Sequence, residues 1–311
     1  FTVNTVNFST RKFSWNTTLT LSHNKNSVKA LTGEAVQLYE AKFGFNQNTH
    51  RIAVGEPLGQ FYGYITEGLY QVDDFNYDAS TQTYTLKDGV PYHGDKGQIR
   101  PGMWKFKNLT GDDNVIDEND KTVIGNAQPK FYGGLNNSFT YKGFDLSIFL
   151  TFSYGNEVLN ATKLVTSKVG SLNYNALDVM NSSNRWMTIN SDGQKVTDPG
   201  ELAALNAGKT VAAYHDAQQG DNYIHSWAVE DASYLKLSNV TLGYTFPKNL
   251  IARVGLKNLR LYATGNNLLT WTKYSGFDPE VSTMKSGLTP GVDFGAYPLS
   301  RSFIFGLNVA F

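Results

Sequence analysis

The stretch Arg301–Phe311, RSFIFGLNVAF, decides how the chain is read. Phe303, Phe305, Leu307, Val309 and Phe311 recur at every second position, with Ser302, Ile304, Gly306, Asn308 and Ala310 between them. A period of two puts the first set on one face of a strand and the smaller set on the other. The last strand of a soluble core has this form. So does a strand of a membrane β-barrel, where one face meets lipid and the other the lumen over about 9–11 residues.

The same alternation recurs upstream. In RKFSWNTTLTLSH (residues 11–23), Phe13, Trp15, Thr17, Leu19 and Leu21 share a face opposite Ser14, Asn16, Thr18, Thr20 and Ser22. Residues 131–156 read as a hairpin of two long arms on the turn Lys142-Gly143. In its second arm Leu146, Ile148, Leu150, Phe152 and Tyr154 form an uncharged face. That is what lipid requires, since a charge at mid-bilayer costs about 2–4 kcal/mol. In SYLKLSNVTLGYTFP (233–247), Leu235 and Leu237 have the opposite parity to Val240, Leu242 and Tyr244, which predicts a bulge near Ser238. Asn258–Trp271 returns as a further strand. Residues 30–60 have no period and read as a connection. The longest region without alternation, 157–227, reads as an outer loop with a helical turn at Glu201–Leu205. The pattern gives about eight to ten strands, with long excursions on one side and tight turns on the other.

Composition narrows the function. Charge is balanced, with 27 basic and 27 acidic residues, so no electrostatic case exists for a nucleic-acid partner. Cysteine is absent, which removes disulfides, thiolate metal sites and cysteine catalysis. No apolar run is long enough for a membrane helix. The five histidines are scattered and no nucleophile sits beside a base, so no enzyme is read. The chain opens in mid-pattern on Phe1-Thr2-Val3, which reads as the C-terminal part of something longer.

Two groups of candidate site residues stand out. Asp112, Asp113, Asp117 and Asp120 crowd the 108–120 loop with Gly111, the composition of a calcium loop. The spacing fits imperfectly. Counting back from Asp120 as the closing ligand leaves Leu109 and Gly111 where side-chain oxygens are needed. A solvated acidic turn is the alternative. Trp186 and Trp227 lie in the long loop, where an indole stacks on a sugar ring or anchors the packing.

Taken together, GDDNVIDENDKTVIGNAQPKF, NNSFTYKGFDLSIFLTFSYGNE, EDASYLKLSNVTLGYTFPK, LRLYATGNNLLTWTKYSGFDPE and the ending GVDFGAYPLSRSFIFGLNVAF resemble the SusC/RagA family of TonB-linked outer-membrane transporters. The resemblance covers most of residues 1–160 and 228–311 and weakens in 161–227. It implies an all-β fold: the C-terminal portion of a transmembrane antiparallel barrel of roughly 22 strands with an upstream plug. It also implies import of oligosaccharides, or alternatively peptides, at the outer membrane of a Bacteroidetes-type bacterium. A SusD-like surface lipoprotein would serve as lid and the TonB complex as energy source. Phe303, Phe305, Leu307, Val309 and Phe311 resemble the signal read by the barrel-assembly machinery. The acidic loop departs from the family's usual Asp-x-Asn-Gly-Asp-Gly run, which weighs against calcium; no other cofactor is implied. A soluble, calcium-dependent sugar-binding β-sandwich is the competing reading.

Overall fold

The computed structural model describes residues 1–41, 47–111, 113–167, 175–213, 223–283 and 286–311. Seven long strands form one sheet: β1 (Thr2–Ser9), β2 (Phe13–Ser22), β3 (Phe131–Tyr141), β4 (Phe144–Tyr154), β5 (Tyr234–Thr245), β6 (Asn258–Thr272) and β7 (Ser302–Ala310). Their order in the sheet is their order in the chain, and every neighbouring pair is antiparallel. The sheet is a segment of barrel wall with β1 and β7 at its edges, not a closed barrel. It holds seven strands rather than eight to ten, because the other alternating pieces pair among themselves outside it.

Register makes the sheet two-faced. Leu19 faces Leu135, which faces Leu150; Leu150 faces Leu237, and Leu237 faces Leu269. Closer to the tight turns, Phe144, Tyr244, Leu261 and Leu307 succeed one another in the same way. The bulge falls at Ser238, where β5 has one residue more than β4. It returns Leu235 and Leu237 to the face of Val240 and Leu242. A one-residue slip anywhere would turn an apolar set onto the polar face, so this alignment holds the register. No apolar residue of the seven strands is buried, and Phe303, Phe305 and Leu307 are 66%, 81% and 59% exposed. The sheet thus presents a continuous apolar surface to its surroundings. Aromatic rings edge it at both ends: Phe8, Phe13, Tyr141, Phe144 and Tyr244 near the tight turns, and Phe131, Phe152, Tyr154 and Trp271 at the far end. Only three strand residues are charged, Asp145, Lys236 and Arg260. All three lie on the opposite, polar face, and all are ion-paired.

The turns at one end are short. Tyr141-Lys142-Gly143-Phe144 is a two-residue hairpin with φ of 46° at Lys142 and 92° at Gly143, the conformation that suits the twist of the arms. At the other end the connections are long, and they hold the hydrophobic core. Phe61, Leu159, Leu164, Ile224 and Val292, drawn from three different excursions, form one buried cluster. Tyr64, Trp104, Phe106, Trp186 and Leu202 belong to another. The excursions therefore fold as a packed cap. Residues 30–60, read as a mere connection, contain strands Val36–Glu40 and Asn48–Ala53, which pair with each other. The 157–227 region contributes strand Glu157–Asn160 and helices Ala161–Thr166 and Pro199–Leu205. Asp198 caps the latter helix by accepting from the Glu201 N–H, and Pro199 follows the cap.

Candidate functional site

The polar face of the wall meets the cap in a cleft at the long-loop end. Its larger part, ≈ 860 Å³, is lined by Asn24, Lys25, Asn126, Gln128, Lys130, Asn156, Glu157 and Asp231 among others. A second part, ≈ 430 Å³, shares Asn24, Gln128, Asn156 and Glu157 and adds Tyr132, Tyr234, Glu280 and Ser282. The strand ends supply the floor and the excursions the roof.

Hydrogen bonds fix these side chains. Glu157 Oε2 accepts from the Asn126 N–H at 2.7 Å. Asn156 Oδ1 accepts from the Ser153 hydroxyl at 2.7 Å, and its amide donates to the Ala232 carbonyl. Tyr234 donates to Glu280 at 2.6 Å, and Lys236 bonds the other oxygen of the same carboxylate. Glu230, behind the cleft, accepts from Ser275 and Lys163. Burial alone would raise its carboxyl, but these partners hold it below its ordinary value. Amides both donate and accept, so the cleft offers fixed polar contacts of both senses to a ligand. None of its amides stood out in the sequence. Asn24, Gln128 and Asn156 each lie within three residues of a wall-strand end, and alignment of those ends was the signal that could have found them.

The structure moves the sequence candidates elsewhere. Trp186 is 1% exposed and packs against Gly102 in the cap core, so neither indole face is open to a sugar. Trp227 is half-buried. Lys163 Nζ sits 4.1 Å from its ring centroid and Trp104 packs at 4.9 Å, so its contacts also serve packing. Trp186 thus serves as a packing anchor, while Trp227 is both a packing contact and a partly exposed ring. In the acidic loop, Asp120 is fully buried. One of its oxygens accepts from the N–H groups of Leu109 and Thr110, and the other from the Asp117 N–H. Asp117 caps the next turn through Asn119, and Asp113 accepts from the Val115 N–H. Among the described residues no three acidic or histidine side chains gather as a metal would require. The oxygens of Asp113, Asp117 and Asp120 close the loop on itself; Asp112 lies outside the described residues. Phe303, Phe305, Leu307 and Val309 line the apolar face of β7, and Phe311 follows it.

Known proteins match the chain over its length. It is 33% identical to TonB-dependent receptor P3 of Formosa agariphila, across all of this chain and 28% of that protein. It is 30% identical to TonB-dependent receptor P39 of the same organism, across 96% of this chain and 29% of the relative. TonB-dependent receptor SusC of Bacteroides thetaiotaomicron is 26% identical over all of this chain and 26% of its own length. The chain belongs to the TonB-dependent receptors of the SusC/RagA type. It spans little more than a quarter of the length of these curated relatives. Two solved structures, of the RagAB peptide transporter and of the RagAB peptide importer in the 'closed-closed' state, share the fold with TM-scores of 0.66 and 0.68. Their identities are 19% and 18%, and each match covers all of this chain and 28% or 29% of theirs. No family model matches. The relatives are receptors and transporters, not enzymes.

Proposed function

We propose that the receptor of which this chain is part imports a polar oligomer across the bacterial outer membrane. The observation that carries this is the apolar face, uncharged and in register across seven strands, backed by a polar face whose three charges are all paired. Such a wall separates lipid from a wet lumen. Import requires binding and gating without covalent chemistry, and the amide-rich cleft below the cap is where the ligand is held. Oligosaccharides are the first reading, since alternating donors and acceptors suit hydroxyl-rich chains. A peptide is the second. It is favoured by Lys25 and Lys130 lining the same cleft as Glu157 and Asp231, a mixed set that suits a ligand carrying both charges. The RagAB relatives are themselves described as peptide transporters.

Energy coupling by the TonB complex and a SusD-like surface lipoprotein as lid belong to this proposal for the whole receptor. Exposed apolar side chains on the outer excursions, such as Phe277, Leu288 and Ile189, are consistent with a lid resting there. The test is calorimetry on the detergent-purified full-length receptor with its lid, against oligosaccharide and peptide panels. Saturable binding of one class, weakened by Asn156→Ala, supports the reading. A receptor that stays in solution without detergent overturns it.

A further inference from the structure

The short-turn end of the wall is uniformly basic. Its three turns contain Arg11 and Lys12, then Lys142, then Lys248, Arg253 and Lys257, with no acidic residue between Ser9 and Phe13, Tyr141 and Phe144, or Phe246 and Lys257. Removing these six from the 27 basic residues leaves 21 against 27 acidic ones, so the neutral total conceals a polarised molecule. All six side chains are exposed, and none enters an ion pair with a described residue. The nearest strand carboxylate, Asp145, is already bound to Arg260 on the polar face.

The turns are also amphipathic. In the helical turn Lys248–Ile251 and its continuation to Val254, Ile251 is buried while Leu250 and Val254 are 54% and 71% exposed. Leu250 and Val254 are one helical turn apart and so point the same way. Immediately above lies the aromatic edge of Phe13, Tyr141, Phe144 and Tyr244, continuous with the apolar face. Lys142 Nζ lies 5.2 Å from the Tyr141 ring centroid. Basic tips beyond an aromatic belt, with apolar side chains between them, match the headgroup layer of an anionic leaflet.

We propose that this rim is a collar that binds anionic phospholipid headgroups in the leaflet touched by the short turns. The inference rests on the outer-membrane reading. There the short turns lie on the periplasmic side, so the lipid is that of the inner leaflet. Lipid rather than an acidic protein is the occupant because the six charges follow the wall's edge, where its apolar face ends, instead of forming a patch away from it.

The experiment is native mass spectrometry of the full-length receptor in detergent, titrated with dioleoyl phosphatidylglycerol or dioleoyl phosphatidylethanolamine. Wild-type receptor is expected to hold phosphatidylglycerol about tenfold more tightly, with the preference shrinking as salt rises. The combined variant R11Q, K12Q, K142Q, K248Q, R253Q, K257Q loses the preference. K29Q, K107Q, K195Q, on the outer excursions, keeps it. If the combined variant does not assemble, the triple variants R11Q/K12Q/K142Q and K248Q/R253Q/K257Q each show a reduced preference. Equal binding of the two lipids, a preference that survives the collar substitutions, or collar-dependent binding of poly-glutamate without lipid selectivity overturns the proposal. A receptor absent from the outer-membrane fraction refutes the importer reading itself. A heat-modifiable barrel in that fraction without lipid preference refutes only the collar.

Discussion

Asp145 on β4 and Arg260 on β6 form a bidentate ion pair across the strand between them. Nε reaches Oδ1 at 3.0 Å and Nη2 reaches Oδ2 at 2.5 Å. They meet because the intervening residue of β5 is Gly243. A Cβ there would lie 2.5 Å from Arg260 Nη2 and 2.6 Å from Asp145 Oδ1. The pair thereby ties β4 diagonally to β6 across β5 on the polar face.

Gly243→Ala is accordingly expected to open the pair. Both side chains are partly exposed, so the lost attraction is worth no more than about 1 kcal/mol. Crowding adds about 1–3 kcal/mol unless the guanidinium swings clear. Unfolding of the purified receptor would measure this. The control is the same substitution in an Asp145→Ala, Arg260→Ala background, where the methyl has room and its cost should fall to nearly nothing. An unchanged cost would mean the glycine serves some other purpose.

Asp120 supports a second prediction. Burial alone would raise its carboxyl, but hydrogen bonds from Asp117, Thr110 and Leu109 outweigh burial and hold it below its ordinary value of 3.8. A depressed folded-state pKa contributes stability that is present above the unfolded value and lost as pH falls through the folded one. Asp120→Asn keeps one acceptor and loses the charge, so about 1–3 kcal/mol of local stability should disappear at pH 7. Limited proteolysis within 108–120 reads this loss. Since these oxygens already serve the backbone, calcium or a chelator should leave wild-type cleavage unchanged. Protection by micromolar calcium would support a metal site in this loop.

The wall was legible in the sequence and the cap was not, for one physical reason. A strand with lipid on one side and water on the other writes a period of two into its residues, as Phe303 to Phe311 and Leu146 to Tyr154 show. Even the Ser238 bulge registered, as a change of parity between Leu237 and Val240. The cap strands are short and buried on irregular faces: Asn48–Ala53 has the burial of a core piece without alternation. The contacts that define the cap join Phe61 to Leu159, 98 residues on, and to Val292, 231 residues on, which no local pattern encodes. Trp186 and Trp227 were singled out for their ring chemistry, and the fold packs them against Gly102, Trp104 and Lys163. In the acidic loop the composition is that of a metal site, and the carboxylates of Asp113, Asp117 and Asp120 accept from backbone N–H groups.

The tryptophans give a third prediction. Trp186→Ala deletes a fully buried indole and should destabilise the cap by about 3–5 kcal/mol. Trp227→Ala, at a half-buried site, should cost less. Both are expected to increase protease cleavage in the excursions while leaving ligand affinity per folded receptor within about twofold. If Trp227→Ala left cleavage unchanged yet weakened oligosaccharide binding by about tenfold or more, the sugar-stacking role would be supported for this ring.

His50 provides the last. It is fully buried, its Nδ1 meets the Thr49 hydroxyl at 2.8 Å, and its Nε2 lies 2.9 Å from the Pro290 carbonyl. It thus pins the strand Asn48–Ala53 to the last excursion. Burial lowers its pKa from 6.5 to about 4, against a smaller opposing effect of the Pro290 carbonyl. The unfolded chain takes up a proton at this histidine near pH 6.5, and the folded one only near pH 4. Between these values the unfolded state binds more protons, so stability falls as pH is lowered, by about 1.4 kcal/mol per unit at most. Above pH 7 the effect is absent, and below about pH 4 it no longer grows. Hydrogen exchange of the 48–53 amides at pH 7 and pH 5 should show faster cap opening at the lower pH, after correction for intrinsic rates. His50→Gln has no titrating group, so opening at this site should lose most of its pH dependence in that window. An identical dependence in the variant would assign the acid sensitivity to other groups.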